Sequence, residues 1–95
     1  MLRKRSADHG RVAVTFTVPA EVGAQRACLV GACTAWAEVP MHRGDDGSFE
    51  LTVELPAGTR SAFRYLLDDD RWDNDWAADD YVPNSYGGTD SVVTT

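Results

Sequence analysis

The chain has 95 residues, enough for one domain with one modest core, and 43% of them are hydrophobic and 25% charged, as in a folded globular protein. The formal net charge is −6, and twelve of the 15 acidic residues follow residue 44. Because an acidic body repels phosphate backbones, we expect no nucleic-acid partner. No run reaches the roughly 18 apolar residues that a membrane span needs, so we expect no membrane partner either.

The first ten residues are distinguished by the basic run Arg3-Lys4-Arg5. We interpret residues 1–10 as a flexible, solubilising tail that precedes a single domain at 11–95. Apolar and polar residues alternate over 12–18, so the unbroken apolar segment of a signal peptide is missing. The sequence therefore predicts a cytoplasmic location.

Cys28 and Cys33 are the only cysteines, and they lie five positions apart without the paired spacing of a zinc site. In a continuing strand an odd separation points two side chains to opposite faces, which argues against a mutual disulfide. We interpret both cysteines as reduced packing residues.

Strands are predicted by alternation of apolar and polar residues with a period of two. Residues 12–18 alternate in this way and end at Pro19, and residues 26–31 form a second strand that is apolar on both faces. A connection over 32–38 follows and carries Trp36. After a short segment near 40–43, the run Gly44-Asp45-Asp46-Gly47 predicts a tight hairpin turn.

The second half of the chain begins with the clearest strand, 48–55, in which one face is apolar and the other polar. Residues 60–67 return after a Pro-Ala-Gly turn. We interpret 68–80 as a long acidic loop, 84–88 as a turn and 90–94 as a last short strand. No segment has the period of a helix, and about seven short antiparallel strands predict an all-β, immunoglobulin-like β-sandwich.

The tryptophans are candidates for a binding surface, because they do not follow the alternation of core positions. Trp36 lies in a connection, and Trp72 and Trp76 lie in the acidic loop. An exposed indole offers a flat apolar face to the C–H side of a sugar ring. The alternative, that Trp36 and Trp72 are partly buried packing residues, stays open at this point. For Trp76 we expect packing that folds the acidic loop onto the sandwich.

A succession of short motifs carries a family resemblance: Leu29 to Trp36 (Leu-Val-Gly-x-x-x-x-Trp), Asp46 to Phe49, Leu55 to Gly58, Phe63 to Asp68, Arg71 to Asp75, and Pro83 to Val93. In this order they resemble the isoamylase N-terminal, or early set, domain of carbohydrate-binding module family 48. That group includes the glycogen-binding domain of AMP-activated protein kinase. The resemblance covers residues 11–94.

The resemblance implies a non-catalytic module that binds α-glucan such as glycogen or malto-oligosaccharide, with no cofactor and no metal. Trp36 and Trp72 match the positions that stack on glucose units, and Arg64 matches a basic position that contacts sugar hydroxyls. Tyr86 and Asp90 match an apolar and a polar contact before the last strand. A glucan-metabolising enzyme or another protein is a further candidate partner. From the residues alone, Arg64 forming an ion pair with nearby aspartates and Tyr86 closing one end of the core remain alternatives.

The chain departs from the family pattern at three places. Ala32, Cys33 and Thr34 replace the usual residues of the turn before Trp36, so we expect that turn to be held differently. The turn 68–71 is one residue longer than usual and lacks glycine, which predicts a changed spacing between the two indoles. Asp90 stands where an asparagine is common.

Other functions have weaker support in the sequence. The aspartates lie in one loop with no evident cleft to raise a pKa, and no nucleophile–histidine–acid set is present, so we expect no enzyme. Four aspartates of the acidic loop are possible oxygen ligands for calcium: Asp68, Asp70, Asp73 and Asp79. Asp68-x-Asp70 begins like an EF-hand loop, but Asp73 stands where its sixth position requires glycine, and no flanking helices are predicted, so we favour a solvated acidic loop tied to Arg64 and Arg71. The main rival is a protein–protein interaction module of the same fold that has lost sugar binding.

Overall fold

The computed structural model describes residues 2–95, which form ten strands and two single 3-10 turns. The strands are β1 (Leu2–Ala7), β2 (Arg11–Val18), β3 (Ala27–Gly31), β4 (Val39–Pro40), β5 (His42–Arg43), β6 (Phe49–Pro56), β7 (Arg60–Leu67), β8 (Arg71–Asp73), β9 (Asp80–Pro83) and β10 (Thr89–Thr94). The 3-10 turns are Ala20–Val22 and Ala32–Thr34. In this part of the chain, no helix has the length and apolar character needed to cross a membrane.

Two antiparallel sheets make up the fold. The first has the order β1-β2-β6-β5 and the second the order β4-β3-β7-β10-β9, with β8 also paired to β7. The predicted all-β sandwich is confirmed, with ten strands within residues 2–95 rather than about seven. Four of the additional strands, β4, β5, β8 and β9, have only two to four residues, too few to show a period of two. The fifth, β1, has six residues but is mostly exposed at an edge.

The core lies between the sheets and follows the predicted alternation. In β2 the side chains of Val14, Phe16 and Val18 are buried, and Phe63 of β7 faces them from the other sheet. The rings of Phe16 and Phe63 meet edge to face, with centroids 5.0 Å apart. Each fully buried apolar side chain of this size stabilises the fold by about 1.5–3 kcal/mol.

A second, smaller apolar cluster covers the outer face of the second sheet. It consists of Cys28, Val30 and Leu66, all buried. Val30 lies opposite Arg64 and Leu66 opposite Trp72 in the strand register, and opposite residues in an antiparallel pair share a face. The cluster therefore lies on the same face of the sheet as Arg64 and Trp72, directly beside them.

The interpretation of residues 1–10 as a mobile tail is wrong for 2–7, which pair along their whole length with β2, from Leu2 opposite Phe16 to Ala7 opposite Arg11. Met1 lies outside the described residues. The Lys4 ammonium donates to a carboxylate oxygen of Asp79 at 2.6 Å. This contact links β1, at the edge of the first sheet, to the residue that precedes β9, at the edge of the second. This strand could not be predicted from alternation, because it lies exposed at the edge of a sheet and buries few apolar side chains.

The acidic segment 68–80 is only partly a loop. Arg71–Asp73 form β8, paired with Tyr65–Leu67, so Trp72 belongs to the sheet. Both cysteines are free, as predicted: Cys28 is buried in the outer cluster, whereas Cys33 is half-buried against the main core. Burial raises the pKa of both thiols, which keeps them protonated and weakly reactive.

Candidate functional site

A surface groove of about 760 Å³ lies on the outer face of the second sheet. Its lining includes all five residues that the resemblance assigned to sugar binding, together with three that sequence reasoning did not single out. The five are Trp36, Arg64, Trp72, Tyr86 and Asp90, and the three are Val30, Asn84 and Ser85. Strands β3, β7, β8 and β10 provide the floor, and the turn after β3 and the loop at 84–88 provide the sides.

Trp72 lies on the floor of the groove with 47% of its surface exposed. Its register opposite Leu66 places it over the outer apolar cluster. The guanidinium carbon of Arg64 lies 5.4 Å from the centroid of the indole, within the range of a cation–π contact. Arg64 and Leu66 together limit the orientations available to Trp72, while half of the ring remains free for a ligand.

Arg64 and Asp90 form the polar centre of the groove. Arg64 Nε lies 3.9 Å from Asp90 Oδ1, and the two side chains are 26% and 14% exposed. Within residues 2–95 the covered Nε has no hydrogen-bond partner, so the attraction to Asp90 acts without a short hydrogen bond. The amide of Asn84 donates to the same Asp90 oxygen at 3.1 Å. The sequence left open whether Arg64 forms an ion pair with a nearby aspartate. It does so with Asp90, which itself lines the groove.

Trp36 enters the groove from an uncommon backbone conformation. Ala35 and Trp36 both lie in the left-handed region, with φ of 52° and 62°, where a bulky side chain is rare. The Trp36 N–H donates to the Gly31 carbonyl at 2.8 Å and closes the turn. The indole is 53% exposed, so neither Trp36 nor Trp72 is a buried packing residue.

The hydroxyl of Thr34 holds the turn that presents Trp36. It accepts from the Gly31 N–H at 3.1 Å and lies within hydrogen-bond distance of the carbonyls of Gly31, at 3.0 Å, and Ala37, at 2.8 Å. The turn is therefore held by Thr34, one of the residues at which the chain departs from the pattern of the family that it resembles.

Tyr86 lies in a short loop that is held by Asn84. The Asn84 side-chain oxygen accepts from the N–H of Tyr86 at 2.9 Å and from the N–H of Gly88 at 3.1 Å. Tyr86 itself is 93% exposed, so the alternative that it closes one end of the core is wrong. An asparagine that begins a glycine-containing turn is the sequence signal that could have identified Asn84.

The aspartates at the turn between β7 and β8 have structural partners. Asp68 and Asp69 both adopt positive φ without glycine, and Asp68 Oδ1 accepts from the backbone N–H groups of Gln25 at 2.8 Å and Arg26 at 3.0 Å. These hydrogen bonds hold the pKa of Asp68 below its ordinary value. Over residues 2–95, no three His, Cys, Asp or Glu side chains are placed to hold a metal ion.

The expectation that Trp76 packs is wrong, because its side chain is 72% exposed. The acidic segment is anchored instead by Asp75, which is 1% exposed. The Tyr65 hydroxyl donates to its carboxylate at 2.7 Å, and its own N–H donates to the Ser91 hydroxyl at 2.8 Å. Because the anchoring residue is polar, no apolar periodicity in the sequence could have predicted it.

The protein is thus an all-β sandwich with an aromatic-lined groove on the outer face of its second sheet. Comparison with known proteins adds no further assignment: no protein-family model matches the chain, and no curated protein matches it.

Proposed function

We propose that the chain is a non-catalytic α-glucan-binding module and that the groove on its outer sheet is the binding site. The observation that carries the proposal is the position of Trp36 and Trp72, two half-exposed indoles in one groove. A stable monomer gains nothing from leaving two such rings in water, whereas sugar rings stack on them through their C–H faces.

The polar groups of the groove suit hydroxyls. Each sugar hydroxyl both donates and accepts a hydrogen bond, and the guanidinium of Arg64 donates while the carboxylate of Asp90 accepts. Because these two charges offset each other, the centre of the groove favours a neutral polar ligand over an ion. The groove volume of about 760 Å³ lies in the range of known ligand sites and leaves room for more than one sugar unit.

A binding role without catalysis fits the lining of the groove. Hydrolysis of a glycosidic bond by the common mechanisms uses two carboxyl groups about 5–9.5 Å apart. Among residues 2–95, Asp90 is the only carboxylate that lines the groove, and it faces Arg64. The motif order shared with carbohydrate-binding module family 48 supports the same function, and a glucan-metabolising enzyme is the corresponding protein partner.

The test is retention on a glycogen-containing affinity gel together with an NMR titration with maltoheptaose. Trp36→Ala and Trp72→Ala are each expected to weaken binding by about tenfold, since one stacked ring contributes about 1 kcal/mol or more. Trp76→Ala is the matched control, because it removes an exposed indole outside the groove, and its retention is expected to equal that of the parent protein.

The rival function, a protein interaction module of the same fold, has support in the same exposed rings, because a large exposed apolar patch also marks protein interfaces. The two functions give different results in this test. No chemical-shift change at millimolar maltoheptaose, with no retardation on the gel, would reject the glucan proposal in favour of the interaction module.

A further inference from the structure

A second cavity, of about 290 Å³, is separate from the groove and shares no lining residue with it. It lies where the end of β2 and the segment 19–22 face β7 and the segment 73–76. Successive residues of a strand point to opposite faces, so Asp73 points to the core side of the second sheet and Trp72 to the outer side. Ligands of the two sites therefore approach different faces of the molecule.

The walls of this cavity are apolar and carry an exposed indole. Val18, Val22 and Leu67 line it, together with Trp76. The volume of about 290 Å³ is well under half that of the groove, so it suits one extended side chain better than a sugar chain. At 72% exposure, Trp76 can offer a ring face to a ligand that enters from solvent.

The charged groups of the cavity are negative. Its lining within residues 2–95 includes Glu21, Asp73 and the buried Asp75 but no lysine or arginine. Arg71 flanks the cavity, where its guanidinium donates to the Val22 carbonyl at 3.3 Å. The Asp75 carboxylate is fixed in place by the Tyr65 hydroxyl at 2.7 Å and the Ala77 N–H at 2.8 Å. An apolar channel beside fixed negative charge favours a ligand with an apolar stem and a cationic head.

We propose that this cavity accepts an arginine side chain presented by a protein partner. The three methylenes of arginine match the apolar wall, and its planar guanidinium stacks on an indole while it donates to carboxylates. Lysine lacks the planar group, and a neutral ligand can hydrogen-bond to Glu21 and Asp73 but lacks the charge attraction to them. The cavity is thus a docking site for a basic segment of a partner protein, at a distance from the groove that we propose for glucan.

The test compares two small probes of equal shape. The ¹⁵N-labelled protein is titrated with Nα-acetyl-arginine methylamide and with Nα-acetyl-citrulline methylamide, which is isosteric but uncharged. We expect saturable shifts of the Trp76 indole N–H and of amides in 19–22 and 73–76 with the arginine probe. The citrulline probe is expected to bind about fivefold more weakly or worse. The indole signals of Trp36 and Trp72 serve as internal controls and are expected to stay in place.

Variants separate this site from the groove. Trp76→Ala and the conservative Glu21→Gln, both at exposed positions, are each expected to weaken the arginine probe, whereas Trp72→Ala is expected to leave it unchanged. Equal binding of both probes, unsaturable shifts spread over the acidic surface, or no shift at tens of millimolar arginine probe would each overturn the proposal. Failure of glucan binding is read from the maltoheptaose titration and does not affect this result.

Discussion

At the scale of single residues, the presentation of Trp36 depends on a turn that is costly for the backbone. Two consecutive non-glycine residues, Ala35 and Trp36, lie at positive φ, and each such residue costs roughly 1–2 kcal/mol relative to a right-handed conformation. Strain of this kind persists where surrounding contacts fix it, and it concentrates at functional sites. Here the contacts are the hydrogen bonds of Thr34 and of the Trp36 N–H.

Removing the hydroxyl of Thr34 tests whether it fixes the turn. Thr34→Val keeps the shape of the side chain but leaves the Gly31 N–H without its acceptor, and we expect unfolding free energy to fall by about 1–2 kcal/mol. Thr34→Ser retains the hydroxyl and is expected to stay within about 0.5 kcal/mol of the parent protein. Urea unfolding measures both, and equal loss in the two variants would contradict a role for the hydrogen bonds.

The close approach of β3 and β7 at Gly31 leaves no room for a side chain. A Cβ at this position would lie 2.5 Å from the Ala62 carbonyl oxygen and 2.7 Å from Phe63 Cβ. Because both contacts are with backbone or with a rigid core residue, Gly31→Ala requires the strands to move apart. We expect it to destabilise the fold by about 2–3 kcal/mol, as overpacking does.

Gly58→Ala is the matched control for this substitution. Gly58 has φ of 76° and open space around the position of a Cβ, so its replacement adds backbone strain without a clash. We expect it to cost about 1 kcal/mol. A cost at Gly31 well below that at Gly58 in urea unfolding would show that the strands accommodate the added Cβ without moving apart, since the extended backbone of Gly31 carries no strain of its own.

At the scale of elements, the strands predicted well are those whose side chains are buried on at least one face. The alternation of β2 and β6 follows from burial on one side, and the apolar run of β3 from burial on both. Strands β1, β8 and β9 are mostly exposed, so their sequences show no alternation of apolar and polar residues from which they could be predicted. The same limit applies to the site. Trp36 and Trp72 could be predicted because they depart from the alternation of core positions and match a motif order, whereas the Asp75 anchor depends on contacts distant in sequence.

The edge strand β1 gives a test at this scale. Its pairing with β2 and the packing of Leu2 against the core predict that removal of residues 2–7 lowers the unfolding free energy by about 1–3 kcal/mol. Lys4→Gln, which removes only the ion pair with Asp79, is expected to cost less than about 1 kcal/mol. Urea unfolding measures both variants. If the truncated protein has the same free energy of unfolding as the parent protein, residues 2–7 contribute no more to stability than a mobile tail would.

Asp68, in the turn between β7 and β8, contributes to the free energy of unfolding in a way that depends on pH. The N–H groups of Gln25 and Arg26 stabilise its ionised form and lower its pKa in the folded protein. The stabilisation by ionised Asp68 is therefore fully present above the pKa of an unfolded aspartate, about 3.9, and is lost as pH falls through the lower pKa of the folded state. Asp68→Asn is expected to make the decline of the urea midpoint below about pH 4 shallower than in the parent protein. Parallel curves for the two proteins would contradict this linkage.

At the scale of the whole molecule, charge separates the two proposed sites. The net charge of −6 favours the approach of a cationic ligand and leaves an uncharged sugar unaffected. In the groove, Arg64 and Asp90 offset each other, whereas Glu21 and Asp73 at the second cavity share one sign. The two ligands should therefore respond differently to salt.

Raising NaCl from about 0.02 to 0.5 M shortens the screening length from roughly 20 Å to about 4 Å. We expect the affinity for maltoheptaose to change less than about twofold, because stacking on Trp36 and Trp72 carries no net charge. Over the same range the arginine probe is expected to weaken several-fold, since its attraction to the acidic cavity is screened. NMR titrations at both salt concentrations measure the two affinities on one protein. The spectra recorded without ligand show whether the fold is unchanged at the two salt concentrations. With an unchanged fold, a parallel loss of both affinities would contradict two chemically distinct sites.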